Sequence, residues 1–297
     1  MTTRLSLTVL LVLCLCRVSK LFLIPDLNNI HIYVSPSGSD LNDGTDINHP
    51  VKSLHKAIQR IDARDVQSKD NIWIELLEGY HDLNATLVID NKNDFRRLTI
   101  RAFQDHQVHV TGGKRIASNL FQKVTDQQIL HRLSTETKKH ILQVNLSDAG
   151  ITDLGKLVTY GKYILRQAPL EIFENGFPLT LSRWPNYGFI NITNVPGDRN
   201  STVFQYDSDR PKQWSSQPDI WVYGYWYQSW ADSAVPVKTL DAQNKTVYLA
   251  QPTHYGLRAG QTHPGGGYFR FINILDEIDE PGEYFIDRAS GLLYLWP

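Results

Sequence analysis

Cysteine is nearly absent from this 297-residue sequence, which has two, Cys14 and Cys16, both close to the N-terminus. If that N-terminal segment is removed as a signal peptide, the remaining chain has no thiol and no disulfide. Small secreted domains often depend on such crosslinks, but a chain of this length can bury enough apolar surface to fold without them. We therefore expect the fold to be held by an ordinary packed core.

An excess of charge of one sign is also missing, since 30 basic and 31 acidic residues give a formal net charge of −1. This balance produces no long-range field that would favour nucleic acid or an anionic membrane surface, so no nucleic-acid partner is predicted. Methionine occurs once, whereas Tyr, Phe and Trp occur 14, 11 and 7 times. This composition favours a β architecture.

Motifs for metals and cofactors are absent as well. Histidines such as His254 and His263 are scattered and never show the H-x-x-x-H or H-E-x-x-H spacing of zinc sites. The glycine run at residues 265–267 is not followed by Lys and Ser or Thr, so no phosphate-binding loop is predicted. The acidic loop at residues 40–46 partly resembles a calcium loop, but turns closed by Asp side chains are the favoured interpretation. We predict no metal and no cofactor.

No apolar run is long enough to span a membrane. Residues 5–16 are apolar and follow Arg4, as in a signal peptide, but Arg17 and Lys20 interrupt the run before it reaches about 20 residues. We predict a signal peptide over residues 1–20. The alternative is an uncleaved anchor that continues through residues 21–24, and no other membrane association is predicted.

Signals for N-glycosylation are frequent in the sequence. Five N-x-S/T sequons lack proline at the middle position, and they begin at Asn84, Asn145, Asn191, Asn200 and Asn244. One sequon is common by chance, but five behind a signal peptide favour a secreted, extracellular glycoprotein. The alternative for two or three of them is that strands bury the asparagine and leave it unmodified.

Hydrophobic periodicity predicts one clear helix among short strands in residues 30–113. An apolar strand at residues 30–34 and a turn-rich loop precede an amphipathic helix, whose apolar face comprises Val51, Leu54, Ala57, Ile58 and Ile61. Short apolar runs separated by polar turns follow at residues 72–77, 86–89, 98–103 and 108–111. We predict the start of a solenoid of parallel strands, capped by the helix. The alternative is an antiparallel meander.

Residues 114–270 differ from this pattern, with longer loops, more charges and several aromatic clusters. Asn175-Gly176 lies between two short strand-like runs and predicts a tight β-hairpin, and a short helix is expected within residues 125–139. We predict an antiparallel β domain inserted into the solenoid. Residues 271–297 return to the earlier pattern and stop directly after a strand, which predicts a resumed and truncated solenoid.

Several motifs resemble a known class of proteins. The sequence at residues 33–40, 43–45, 50–54 and 57–58 looks like the entry motif of right-handed parallel β-helix proteins, most of which are extracellular carbohydrate-active enzymes. A narrower group within them consists of glycoside hydrolases and relatives whose β-helix is interrupted by a β-sandwich-like insert. The residues that resemble this group are 174–179 with 183–186, 282–288 and 291–297.

The resemblance implies an all-β fold, in which the start of a right-handed parallel β-helix with an N-terminal capping helix is interrupted by an antiparallel β insert domain. It also implies catalytic carboxylates on strands that follow the last motif, so no catalytic residue is assigned. The hypothesis is the N-terminal part of a secreted, glycoside hydrolase-like protein with a polysaccharide or glycan as partner. A non-catalytic extracellular glycan-binding or structural module and a polysaccharide lyase-like protein are the alternatives.

The aromatic stretch at residues 223–232 supplies candidate carbohydrate contacts, because sugar rings stack on aromatic faces and polar groups fix their orientation. The candidates are Tyr225, Trp226, Trp230 and Asp232. Strand alternation puts Trp226 on one face and its neighbours Tyr223, Tyr225 and Tyr227 on the other, and one of the two faces must be core.

Acidic residues are densest near the C-terminus, where a catalytic pair of carboxyl groups would be sought first. The cluster comprises Asp276, Glu277, Asp279 and Glu280. Its place in a loop predicts a solvated turn, and Asp287 is predicted to form an ion pair with Arg288.

Overall fold

A computed structural model describes residues 29–62, 70–89, 95–162, 170–215, 218–260 and 265–297. The predicted signal peptide over residues 1–20 lies outside the described residues. Contacts divide the chain into two compact units, Met1–Lys114 and Arg115–Pro297. In the described ranges, no helix combines the length and the apolar character needed to cross a lipid bilayer.

The described residues of the first unit form five strands and one α-helix. They are β1 Asn29–Val34, α1 Leu54–Asp62, β2 Asn71–Leu76, β3 Gly79–Asp82, β4 Arg97–Ala102 and β5 Val108–Thr111.

Both sheets of the first unit are parallel. One has the strand order β1-β2-β4 and the other pairs β3 with β5. Ile72 lies opposite Ile30 and Leu98 in an unbroken register. Ile72 and Ile74 are fully buried, because the period-two alternation of a strand points both side chains into the core. The predicted parallel pairing is confirmed, and the antiparallel meander is wrong.

The all-β class is confirmed, but a right-handed parallel β-helix is not shown, since the sheets of the second unit are mixed or antiparallel. The strand predicted at residues 86–89 is wrong. Of these residues, Leu87 packs against the core, whereas Val88 is 66% exposed. An apolar run becomes a strand only where a neighbouring strand can satisfy its backbone groups.

The predicted amphipathic helix is α1. Its buried side chains Leu54, Ala57 and Ile61 belong to the same hydrophobic cluster as Ile72 and Ile74 of β2. The helix therefore covers the apolar residues of the parallel strands, as expected for a cap.

The loop before α1 is held by carboxylates that accept backbone hydrogen bonds. Asp40 Oδ1 accepts from the amides of Lys52 and Ser53, each at 2.8 Å, and Asp40 Oδ2 accepts from Ser53 Oγ at 2.9 Å. The amide of Thr45 donates to Asp43 Oδ1 at 3.0 Å. Turns closed by Asp side chains are thus confirmed. Among the described residues, no group of His, Cys, Asp and Glu could hold a metal ion.

Replacement of Asp40 by alanine is expected to destabilise the start of α1 by about 1 kcal/mol, the usual contribution of a capping side chain. Hydrogen–deuterium exchange of residues 53–62 measures the effect. Asp46→Ala is the matched control, because Asp46 caps an exposed turn at Asn48 and not the helix. Equal acceleration of exchange in both variants would contradict the capping role.

The second unit contains most of the strands. Its described residues form β6 Gln122–Lys123, α2 Gln127–Arg132, α3 Thr137–His140, β7 Leu142–Asn145, β8 Phe173–Glu174, β9 Phe177–Pro178, β10 Thr180–Leu181, β11 Arg183–Trp184, β12 Ile190–Asn194, β13 Val203–Tyr206, β14 Trp221–Tyr225, β15 Asp232–Asp241, β16 Thr246–Leu249, β17 Tyr268–Ile272, β18 Glu283–Asp287 and β19 Leu292–Leu295.

Six of these strands close into an antiparallel barrel. The order is β17-β12-β13-β16-β15-β14, and β14 pairs with β17 to close the circle. The interior is filled by aromatic and branched side chains, including Phe204, Phe269 and Phe271. An antiparallel β structure was predicted, but it is a closed barrel and not the expected sandwich, because β17 pairs on both of its edges.

A five-stranded mixed sheet, in the order β10-β18-β19-β7-β6, forms the other part of the second unit. We expected residues 271–297 to return to the parallel strands. Instead, β18 and β19 form an antiparallel hairpin, and β19 pairs with β7. The turn between them ends at Gly291, whose φ of 77° is a left-handed conformation that favours glycine. The predicted hairpin at Asn175-Gly176 is confirmed between β8 and β9.

Candidate functional site

Trp226, one of the predicted carbohydrate contacts, lies inside the barrel. Its side chain is 2% exposed, and its Nε1 donates to the hydroxyl and carbonyl oxygens of Ser233 at 2.9 and 3.1 Å. Trp226 is therefore a core residue, and its side chain does not reach the surface of the barrel. The cause is the strand alternation that also directs its neighbours outward.

Tyr225 lies on the outer side of the barrel, on the opposite face from Trp226, as strand alternation predicted. It faces Tyr268 across the β14–β17 pair, and their ring centroids are 5.2 Å apart. Phe189 meets both rings edge-on, at 5.6 Å from Tyr225 and 5.4 Å from Tyr268. Tyr223 emerges two residues away on the same side of β14. We call Phe189, Tyr223, Tyr225 and Tyr268 the aromatic face.

Asp232 fixes one edge of the aromatic face. Its Oδ2 accepts a hydrogen bond from the Tyr223 hydroxyl at 2.8 Å. Burial, and next this hydrogen bond, raise the pKa of the Tyr223 phenol. Tyr223 is therefore a neutral donor whose ring is held in one orientation.

The ring of Tyr160 extends the aromatic face, stacked at 6.2 Å from Tyr223. The Tyr160 carbonyl accepts from the amide of Ala234 at 2.8 Å. A Cβ on the next residue, Gly161, would lie 2.2 Å from the carbonyl oxygen of Asp232. Only glycine permits this close approach of the Tyr160 segment to β15.

Trp230 lies in the connection between β14 and β15 and is 45% exposed. Its ring meets Tyr255 edge-on at 5.3 Å, and the ammonium group of Lys162 lies 5.0 Å from the ring centroid. A nearby cavity lined by Trp226, Tyr255 and their neighbours has a volume of about 20 Å³. That volume holds about one water molecule, so a sugar would have to bind the exposed rings and not this cavity.

Two arginines accompany the aromatic face. The Arg270 guanidinium carbon lies 4.2 Å from the ring centroid of Phe189 and 5.8 Å from that of Tyr223. Arg183 lies opposite Ile272 in the β11–β17 pair, so it leaves the sheet on the same side as Arg270. Burial, and next the charge of Arg183, lower the pKa of Arg270 below its ordinary value.

The acidic cluster is not a solvated turn, contrary to prediction. Glu277 is fully buried, and Arg210 donates to both of its carboxylate oxygens, Nε to Oε1 at 2.6 Å and Nη2 to Oε2 at 2.9 Å. Trp214 Nε1 also donates to Oε1. Asp276 Oδ2 accepts from Arg132 Nη2 at 2.5 Å. The residues that pair with these acids are distant in sequence, and the local composition gives no sign of these partners.

The other acids of the cluster and the neighbouring Glu283 also accept hydrogen bonds from the protein. Asp279 accepts from the Asn186 side-chain amide at 2.7 Å, and Glu280 accepts from the Tyr187 hydroxyl at 2.9 Å. Glu283, 3% exposed, accepts from the amides of Asp279 and Glu280 at 2.9 and 3.2 Å. Burial raises the pKa of Glu283 to about 8. The cluster thus holds the loop before β18 in place.

The predicted ion pair between Asp287 and Arg288 is wrong. Arg288 Nη1 lies 3.9 Å from Asp219 Oδ2. Asp287 instead accepts from the Ala289 amide at 3.0 Å and the Ser290 hydroxyl at 2.7 Å. Asp287 therefore closes the β18–β19 turn.

The sequon asparagines differ in exposure. Asn84, Asn191, Asn200 and Asn244 are exposed. Asn145 is half-buried, and its Oδ1 accepts from the Ser147 amide at 3.0 Å. Four of the five predicted positions thus present the side chain to solvent, as glycosylation requires, and Asn145 is the one occupied in a local cap.

The residues that sequence reasoning missed are Tyr160, Arg183, Phe189, Tyr268 and Arg270. One signal was available, since Tyr268 and Arg270 alternate with the core residues Phe269 and Phe271. No pattern indicated that this strand would lie beside Tyr223 and Tyr225.

Comparisons with known proteins support the fold. No family model matches the chain, and no curated protein matches it. A solved structure described as "Glycoside hydrolase" is similar with a TM-score of 0.61 and 16% sequence identity, over 90% of this chain and 43% of that chain. The fold is glycoside hydrolase-like. At this identity the likeness shows the fold alone, and the chain spans less than half the length of that protein.

Proposed function

We propose that this chain is the N-terminal part of a secreted, carbohydrate-active protein and that it contacts carbohydrate through the aromatic face. The observation that carries the proposal is the arrangement of Phe189, Tyr225 and Tyr268, which meet on the outside of the barrel and remain half-exposed. Part of each ring surface is therefore accessible to a ligand. Exposed rings in fixed positions suit the apolar faces of sugars, and the glycoside hydrolase-like fold supports this class of ligand.

The proposal extends to the finer architecture of the first unit, as the first turns of a right-handed parallel β-helix. The strands β2 and β3 follow each other along the chain as β4 and β5 do, and each pairs in parallel with its counterpart. This repetition is typical of successive turns of a solenoid. Export and N-glycosylation at the exposed sequons belong to the same proposal.

The acidic cluster favours a second candidate, a non-catalytic glycan-binding module. Glycoside hydrolysis requires one carboxyl group to donate a proton and another to act as nucleophile or base. Asp276 and Glu277 are each bound by an arginine, which occupies the oxygens that such a reaction would use. Within this chain, the aromatic face therefore supports contact with a glycan more directly than the acids support catalysis.

Substitution of Tyr225 or Tyr268 by alanine is expected to weaken carbohydrate binding about tenfold, equivalent to about 1.4 kcal/mol, because each removes a stacking surface. A glycan array with the full chain identifies a ligand, and isothermal titration calorimetry then compares the variants. Tyr248→Ala is the matched control, since Tyr248 is a similarly exposed tyrosine on β16 of the same barrel.

Unchanged affinity in both aromatic-face variants, or an equal loss in the Tyr248 control, would contradict the assignment of this face. Incubation of the bound glycans with the chain, followed by measurement of new reducing ends, separates the two candidates. Release of reducing ends would overturn the non-catalytic one.

A further inference from the structure

Arg183 and Arg270 place two like charges side by side at the aromatic face. Their strands, β11 and β17, are adjacent, and the register sends both side chains to the outer side of the barrel. Both side chains are half-buried. Two guanidinium groups that share a partly desolvated surface repel each other. An attractive interaction with a third group is therefore needed to offset this repulsion.

No carboxylate supplies that group among the described residues. The Nε atoms of Arg183 and Arg270 are buried without a hydrogen-bond partner, and neither guanidinium has an ion pair there. Three other arginines of the second unit, Arg132, Arg210 and Arg288, each lie within 4 Å of a carboxylate oxygen.

The neighbouring aromatic rings offset part of the repulsion between the two guanidinium charges. Arg270 lies over Phe189 at a distance typical of a cation–π contact. A ring face attracts the charge but accepts no hydrogen bond from the in-plane N–H groups. Asp232, the acid at the edge of the face, accepts from the Tyr223 hydroxyl and forms no ion pair with either arginine. The buried Nε atoms are out of reach, but the Nη groups of Arg183 and Arg270 are not among the buried polar atoms of the described residues, so these terminal donors stay available to a ligand.

We propose that Arg183 and Arg270 bind an anionic group, a carboxylate or a sulfate ester, on the carbohydrate that stacks on the aromatic face. The inference rests on the proposed carbohydrate contact and deepens it by naming an acidic sugar as the ligand. The planar fork of a guanidinium matches the two oxygens of a carboxylate or sulfate. A neutral sugar would leave both charges uncompensated.

Binding of the full chain to paired polymers tests this inference. Polygalacturonate is compared with its fully methyl-esterified form, and dextran sulfate with dextran, by calorimetry at a fixed ionic strength. The expected result is at least tenfold tighter binding to the charged member of one pair, and the pair that responds identifies the anion as carboxylate or sulfate.

The variants are Arg270→Met and Arg183→Met, with Lys238→Met as the control for charge, since Lys238 is exposed on β15. Each arginine variant is expected to lose at least tenfold in affinity for the charged polymer, and Lys238→Met less than twofold. The melting temperature is expected to stay equal or to rise in Arg270→Met, because an uncompensated half-buried charge is removed. A fall in melting temperature without loss of binding would overturn the inference in favour of a structural arginine.

The two proposals fail in different ways. If neutral glycans bind through Tyr225 but neither arginine variant changes the affinity for any polymer, the anion site is overturned and the carbohydrate contact stands. An equal loss in Lys238→Met overturns the anion site in favour of diffuse electrostatics. If no carbohydrate of either kind binds, the proposed function itself is overturned.

Discussion

Replacement of Arg210 by methionine is expected to lower the free energy of unfolding of the second unit by about 3–5 kcal/mol, the range found when one partner of a buried ion pair is removed. The Glu277 carboxylate is fully buried and receives two hydrogen bonds from Arg210. Methionine keeps much of the volume of the arginine stem but leaves Glu277 with the Trp214 indole as its remaining donor among these side chains. The loss is expected to be smaller at low pH, where Glu277 can be protonated.

Denaturant unfolding followed by tryptophan fluorescence measures this effect, because six of the seven tryptophans, all except Trp73, lie in the second unit. Lys212→Met is the matched control, since Lys212 lies in the same 3₁₀ turn and pairs with the exposed Asp209. The double variant Arg210→Met/Glu277→Gln is expected to recover part of the stability, because it removes the buried charge as well. An Arg210→Met variant as stable as Lys212→Met would refute the importance of this ion pair.

The parallel strands of the first unit could be predicted from sequence because the information is local. Ile72 and Ile74 alternate with Trp73 and Glu75, and the polar turns that bound each run set its length. The helix α1 could be predicted for the same reason, since Leu54, Ala57 and Ile61 recur at helical spacing. The inward-facing residues of α1 and β2 were therefore correct, even though the ends of β2 were displaced by one residue.

Closure of the barrel could not be predicted, because it depends on which strands meet. The strand β17 pairs with β12, β14 and β11, which lie tens of residues earlier in the sequence. Strand alternation indicates which face of β17 is core, but it does not name the neighbour. The aromatic face and the two arginines exist only through these pairings, which is why Tyr225 was identified and Arg270 was not.

The burial of the acidic cluster also depends on partners that are distant in sequence, and it could not be predicted either. A run of acids in a loop predicts solvation because isolated carboxylates are hydrated. Here Asp276 meets Arg132, which is 144 residues away, and Glu277 meets Arg210, which is 67 residues away. Burial of these carboxylates follows from the cations that fold against them, and residue spacing does not reveal such partners.

Glu283 is expected to make the second unit less stable as the pH rises from about 4.5 to 8. Burial raises its pKa from the ordinary 4.5 to about 8 in the folded protein, so the folded state binds a proton that the unfolded state has released over this interval. Stability therefore falls with rising pH, by up to about 4–5 kcal/mol for this one group. Glu277, whose pKa burial also raises, acts in the same direction.

Glu283→Gln is expected to remove most of this pH dependence. The glutamine carbonyl can still accept the amides of Asp279 and Glu280, and it carries no charge that must be desolvated. The variant should match the wild-type protein near pH 5 and exceed its stability by several kcal/mol near pH 8. Glu136→Gln, a change at an exposed carboxylate paired with Lys139, is the control.

Denaturant unfolding at intervals from pH 5 to 9, read by tryptophan fluorescence, gives the two stability profiles. The difference in the free energy of unfolding between Glu283→Gln and wild type should grow steadily between pH 5 and 8 and then level off, since above the folded pKa both states of the wild type are ionised. A difference that stays constant across this range would mean that Glu283 is already charged in the folded protein at pH 5. In that case the amides of Asp279 and Glu280 would outweigh its burial.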